Sequence, residues 1–317
     1  MKKLTTLLFV LVFASSMAFA QNNDATTNQT GDDNQVTIDQ NNYSSGAGHQ
    51  ATVTQDGDEN VADILSQGGV GSNLVTVEQV GDENGATVDQ YWGGNEANIS
   101  QEGNLNSAFV SHRGSWKSSA SITQDGNGNT ADILDDGTPS DALEGNEASV
   151  SQYGDNNDAN INQYASFNGA SQWVAGNTNT VTQTQHSSDN SQRVEIEGDN
   201  NMYTVTQEGG TLNSLYVNSR GTGPGANSSD ATNSTFTATQ NGSGNLVSGS
   251  MGGDNNSLTI TQNGSNNMID GGSGFWQAQG FTIDGDNNVA SISQNSSGNS
   301  ATLSIMGNGN SATISQN

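Results

Sequence analysis

The sequence predicts an all-β fold, a flattened two-sheet β-solenoid built from strand-turn-strand rungs of about 22 residues. Three observations predict it. One residue type returns every eleven positions, the alternate positions between returns carry repeated types, and a glycine often follows each stretch.

The period is clearest from Asn157, which returns as Asn168, Asn179, Asn190 and Asn201. Two residues after each stand Ala159, Ala170, Val181, Gln192 and Tyr203, and four after stand Ile161, Gln172, Gln183, Val194 and Val205. The sixth position holds Gln163, Val174, Gln185, Ile196 and Gln207, and glycine follows at Gly154, Gly176, Gly198 and Gly209. The unit is therefore Asn-x-Ala-x-Ile-x-Gln-x-Gly-x-x. It recurs from the region of Asn34 to the C-terminus in about two dozen arms, some degenerate.

Period two over seven residues is the signature of a half-buried strand, and the link that follows supplies a turn in which glycine can take a positive φ. One arm cannot bury its inward face alone. Two arms folded face to face make a rung, and rungs stack at roughly 4.7–4.9 Å. Twelve rungs would make a solenoid about 55–60 Å long. Inward Ile and Val then form apolar stripes, Ala fills a narrow interior, and Asn and Gln form amide ladders that are tolerable only if their donors and acceptors are satisfied. The expected ladder residues are Asn84, Gln90, Asn95, Gln101, Asn157, Gln163, Asn168, Asn179, Gln185, Asn190, Asn201, Gln207, Asn288, Gln294, Asn299, Asn310 and Gln316.

At the N-terminus Lys2 and Lys3 precede an apolar run from Leu4 to Phe13 and the small-residue exit Ala18, Phe19 and Ala20. Residues 1–20 thus read as a secretory signal peptide cut before Gln21, and no stretch is long enough for a transmembrane segment. Residues 21–33 are polar and outside the period, and residues 34–317 form the repeat region. Cleavage leaves four basic against 33 acidic side chains, 4 − 33 = −29, which weighs against a nucleic-acid partner. Without cysteine there is neither a disulfide framework nor a thiolate metal site.

Regularity breaks between Gln40 and Gln55, between Asp135 and Gln152 with Pro139 inside, and from Ser219 to about Ser234 with Pro224. These read as surface loops on one continuous solenoid. A less regular segment, Ser111 to Ser121, carries Arg113 and Lys117.

Signals for chemistry are absorbed by the repeat. Gly126, Gly128 and Ala131, like Gly307, Gly309 and Ala312, imitate a dinucleotide fingerprint but sit at turns without a following helix. His49, His112 and His186 are scattered; His112 takes a repeat-Gln position and His186 lies in a turn. No enzyme motif, cofactor or metal site emerges. Acidic turns at Asp58 with Glu59, Asp82 with Glu83, Asp155, Asp199 and Asp286 read as solvated charge rather than calcium ligands. Tyr91, Tyr153 and Tyr164 each follow a repeat Gln, while Trp92, Trp173 and Trp276 read as lying on or near turns.

The string Gln79, Gly81, Asn84, Ala86, Val88 and Gln90 resembles the curlin repeat of curli fibre subunits, and the resemblance extends over nearly the whole repeat region. It implies a structural subunit of an extracellular, cell-surface amyloid fibre that self-associates as cross-β and supports biofilm matrix, cell aggregation and adhesion. It further implies a bacterial chain exported through the periplasm and a dedicated outer-membrane secretion channel, with a nucleator subunit as partner. Asn leads most arms here, where typical curlins alternate Ser-led and Asn-led arms. A monomeric surface adhesin on a capped solenoid is the alternative, and an ice-binding solenoid is another. For the latter, Thr180, Thr182 and Thr184 make one hydroxyl row and Thr204 with Thr206 most of the next, but Asp158, Asn160 and Asn162 break the array.

The last arm, Asn310, Ala312, Ile314 and Gln316, is in perfect phase and is expected to be the polymerisation edge. Its expected partner is the arm Asn34, Val36, Ile38 and Gln40 of another copy.

Overall fold

The structure is a computed structural model that describes residues 22–42, 48–68, 71–114, 116–137, 145–219, 231–270 and 280–317. Among the described residues the chain alternates between two stacked parallel sheets, one arm in each, with no helix. The first sheet begins with Asp24–Thr30, Gln50–Asp56 and Leu74–Val80, and the second with Gln35–Asn42, Val61–Gly68 and Gly85–Gln90. Each stack runs twelve strands deep along its main path. At the usual strand separation the eleven steps between them span about 53 Å.

Register follows the repeat. Ala97, Ala120 and Ala148 lie in one column, Ile99, Ile122 and Val150 in the next, and Gln101, Gln124 and Gln152 in the third. Because successive side chains on a strand point to opposite faces, these three columns are buried while the residues between them face outward. A slip of one residue would expose the whole set, so burial fixes the register.

Two apolar clusters fill the space between the sheets. The first runs from Ala51 to Ala170 and is built of Ala, Val and Ile. The second runs from Val174 to Ile305 and is wider, admitting Tyr203, Phe236 and Phe281, whose rings lie 5.6 and 5.7 Å apart in sequence order. Gly249 makes room for the last of these, since a Cβ there would stand 2.2 Å from the Phe281 ring. Between the clusters lie Gln172, Gln183 and Gln192, each no more than 1% exposed.

Two expectations are revised. The 21–33 segment contributes the strand Asp24–Thr30, which pairs in register with Gln50–Asp56. The sequence hid it because Thr27 stands where Ile or Val is usual and the return from Asp24 to Gln50 carries an insertion. Trp173 is not at a turn: it faces outward from the middle of the strand Gly169–Ala175. Parts of the three expected loops, residues 43–47, 138–144 and 220–230, lie outside the described residues, as do Trp276 and the leader 1–20. The stacks continue on either side of each loop, although the short strand Ala231–Thr232 lies off the main path and pairs with Gly253 and Asp254.

Candidate assembly surface

At the corner where the first-sheet arm turns into the second-sheet arm, the repeat Asn residues form a column through Asn60, Asn84, Asn106, Asn129, Asn157, Asn179 and Asn201. Each oxygen accepts the backbone N–H of the next Asn, as Asn84 Oδ1 does from Asn106 at 3.0 Å. From Asn84 to Asn179 each amide donates back to the previous oxygen and, as Asn84 does to Gly103 at 2.7 Å, forward to a turn-glycine carbonyl, and Asn201 donates forward to the Ala231 carbonyl instead. The opposite corner holds a second column, with Asn168 Oδ1 accepting from Asn190 N at 3.1 Å and Asn190 Oδ1 from Asn213 N at 3.0 Å. Asn95 belongs to it, accepting from Ser118 N, and Asn299 donates from its backbone to Asn267.

The Gln columns use both amide protons. Gln101 donates to Gln124 Oε1 at 2.9 Å along the stack and to the Gly85 carbonyl at 3.1 Å across the interior. In the first sheet this ladder runs from Gln29 to Gln152 and then gives way to Val174 and Ile196. In the second sheet it runs through Gln163, Gln185, Gln207, Gln240, Gln262, Gln294 and Gln316. All links run in one direction, amide to the oxygen of the following rung. Of the expected ladder residues, Asn299, Asn310 and Gln316 are not fully buried, and the rest are no more than 2% exposed.

The earlier part of the second sheet breaks the ladder with Ser66, His112 and Asp135 in the Gln column. Gln90 Nε2 lies 3.5 Å from His112 Nδ1. Burial pushes the His112 imidazole down to about 4, although Asp135 pulls the other way. Asp135 is itself buried and accepts from Asn146 Nδ2 at 2.6 Å. A carboxylate cannot donate onward, so the Oε1 of Gln163, next in the column, has no partner. His49 replaces the Asn of the second corner: its Nδ1 accepts from Asn73 N at 3.1 Å, and burial lowers its pKa. His186 lies in a turn, stacked on Tyr164 with ring centroids 4.9 Å apart.

A third ladder escaped the sequence reading. The acidic turn residues, expected to be solvated charge, accept backbone N–H groups of the preceding rung: Asp82 Oδ1 from Asp58, Asn104 Oδ1 from Asp82, and Asp155 Oδ1 from Asn127. The same bonds recur at Asp199 and Asp286. The available signal was the Asp or Asn directly after the turn glycine. Among the described residues no group of three or more His, Cys, Asp or Glu side chains is arranged to hold a metal ion. No helix there is long and apolar enough to cross a membrane.

At the two ends of the described stack, Asp24–Thr30 is exposed throughout and Ser311–Gln316 is exposed on its outward positions. Ala312, Ile314 and Gln316 pair inward with Ala290, Ile292 and Gln294. Among the described residues no strand pairs with their other edge.

A search of curated proteins finds no match to the chain. The family model of the curlin associated repeat matches residues 71–103, 144–164 and 285–317. These stretches lie early, midway and late in one continuous stack whose intervening rungs share the same inward columns, and over them the chain is similar to the curlin associated repeat.

Proposed function

We propose that this protein is a structural subunit of an extracellular curli-type amyloid fibre, serving biofilm matrix, cell aggregation and surface adhesion. The observation that carries the proposal is the single direction of the Gln ladder, each amide donating to the oxygen of the following rung. Gln316 receives the Gln294 amide at 2.8 Å and stands in the column that Gln40 opens in the second sheet. In the fibre, Ala312, Ile314 and Gln316 of one copy meet Val36, Ile38 and Gln40 of the next, and Asn310 meets Asn34. Such a head-to-tail contact repeats without closing. Export of the chain by its leader, through the periplasm and an outer-membrane channel, and growth from a nucleator subunit belong to the same proposal.

The test is assembly of the purified protein lacking residues 1–20. Aged material should give fibre reflections near 4.7 Å and about 10 Å, the strand and sheet separations. Thr313→Pro, which removes a donor on the unpaired side of the strand, should leave the monomer folded and slow seeded elongation markedly. A species that stays monomeric for days at high concentration would favour the adhesin reading. Elongation of Thr313→Pro at the unmodified rate would place growth elsewhere than this edge.

A further inference from the structure

The outward face of the first sheet carries small hydroxyl residues over most of its middle rungs, Ser149, Ser151, Ser171 and Ser191 among them. A group of larger side chains interrupts them. Tyr153, Trp173 and Tyr216 come from three different strands, and pairing shows how they are arranged. Ser151 is the register partner of Trp173, so Tyr153 lies one outward position to one side of the indole. Ser171 pairs with Arg193 and Arg193 with Tyr216, so Tyr216 lies one outward position to the other side. The rings therefore form a diagonal ridge across three rung steps, about 20 Å from end to end.

Tyr153 and Trp173 touch, with centroids 5.9 Å apart, yet Tyr153 remains 39% and Tyr216 36% exposed. Between Trp173 and Tyr216 sits an ion pair, Arg193 with Glu195. The Arg193 guanidinium also lies 5.7 Å from the Tyr216 ring centroid. The Tyr216 hydroxyl donates to Glu195 Oε2 at 3.3 Å and accepts from Asn218 Nδ2 at 3.2 Å. Exposed flat rings are thus flanked by donors and acceptors whose orientations are already fixed.

Sheet packing alone does not call for this group, because neighbouring rungs hold together with Ser151 in the Trp173 column, Ser149 and Ser171 in the Tyr216 column, and Asp125 and Ala175 beside Tyr153. We propose that the ridge of Tyr153, Trp173 and Tyr216, with Arg193, Glu195 and Asn218 beside it, binds a neutral β-linked polysaccharide. Sugar rings present apolar C–H faces that stack on aromatic rings, and their equatorial hydroxyls meet the guanidinium and amide at the edge, while the buried Glu195 carboxylate holds Arg193 and Tyr216 in place. Charge selects the neutral class. The chain carries a net charge of −27, and the one cation of the ridge is already matched by Glu195, so a polyanion, nucleic acid included, finds no surplus positive charge.

This site does not depend on polymerisation, and its test uses freshly purified full-length mature chain before assembly. Binding is read by tryptophan fluorescence with cellohexaose and by retardation in gels containing hydroxyethyl cellulose, with polygalacturonate as the anionic probe. Trp173→Ala and Tyr216→Ala should each weaken binding by about tenfold, the equivalent of one lost stacking contact. Trp92→Ala, at a corner loop away from the ridge, should bind as the unmodified chain does. Trp173→Val keeps a strand-forming residue and should lose binding equally without lowering the denaturation midpoint. The proposal is overturned by absence of binding to either neutral probe, by equal or tighter binding of polygalacturonate, or by unchanged affinity in the Trp173 variants. Normal fibre growth by those variants would leave the fibre reading intact whatever the sugar result.

Discussion

At Asn179 one side chain serves three rungs. Its oxygen accepts the Asn201 backbone N–H at 2.9 Å, and its amide donates to Asn157 Oδ1 at 3.1 Å and to the Gly198 carbonyl at 2.7 Å. Aspartate is nearly the same shape but cannot donate, and its buried charge would face two oxygens. Asn179→Asp should therefore cost about 3–5 kcal/mol, whereas Thr182→Asp on the outward face should stay within about 0.5 kcal/mol. Urea denaturation of the two variants decides it, and equal losses would contradict the inward assignment. His112 makes a second prediction. Burial holds its pKa near 4, below the ordinary 6.5, so the unfolded chain takes up a proton first as pH falls. Stability from this group is complete above about 6.5 and is lost as pH falls through about 4. His112→Gln should flatten the dependence of the denaturation midpoint on pH across that window. A smaller slope of the same sign remains from His49, which burial shifts in the same direction. An unchanged slope in the variant would show that His112 does not titrate this way.

The turn from a first-sheet arm into a second-sheet arm needs two left-handed residues, whereas the opposite turns before Asn168 and Asn190 take only one, at Phe167 and Asp189. Glycine takes the first, as at Gly81 with φ 110°, where a Cβ would stand 2.2 Å from the Gly103 carbonyl oxygen. The second, directly before the Asn, is taken by many types: Glu59 at φ 58°, Glu83 at 57°, Leu105 at 60° and Thr178 at 58°. Only the first was legible, because close approach between stacked turns excludes every side chain there. At the second position the side chain points to solvent, so sequence variety hides a conformational cost of about 1–2 kcal/mol per L-residue. Leu105 is 58% exposed and has little packing to lose. Leu105→Gly should therefore raise stability by about 0.5–1 kcal/mol, after allowance for the greater freedom of glycine in the unfolded chain. A thermal midpoint that falls would mean Leu105 contributes packing that outweighs the strain.

At the scale of the whole solenoid, the two apolar clusters of the described residues are separated by a polar belt at Gln172, Gln183 and Gln192. Each donates to a backbone carbonyl of the facing arm, yet the Oε1 of all three has no partner. Orphaned buried acceptors cost about 1–3 kcal/mol, so this belt is the expected point of sub-global opening between the two clusters. Gln183 lies in the column between Ile161 and Val205. Gln183→Val continues that column and should stabilise the chain by about 1–2 kcal/mol. It should also slow hydrogen exchange in the strands Gly169–Ala175 and Thr180–Gln185. Faster exchange there would show that the glutamines hold the clusters together instead.

The period, the inward columns and the two-sheet rung were legible in the residues alone, because a strand alternates its faces with a period of two and each rung stacks on its own likeness. That physical constraint makes the Asn and Gln positions visible wherever they recur. Tertiary structure alone decided which sheet carries an unbroken Gln ladder in each half, since the unit is the same in both arms and only stacking tells them apart. It alone drew Asp24–Thr30 into the stack and gave Asp82 and Asp155 backbone partners, because a parallel rung lets an insertion of any length return to the same register. Tyr153, Trp173 and Tyr216 are likewise far apart in the chain, and only the coil of the solenoid lays them on one diagonal.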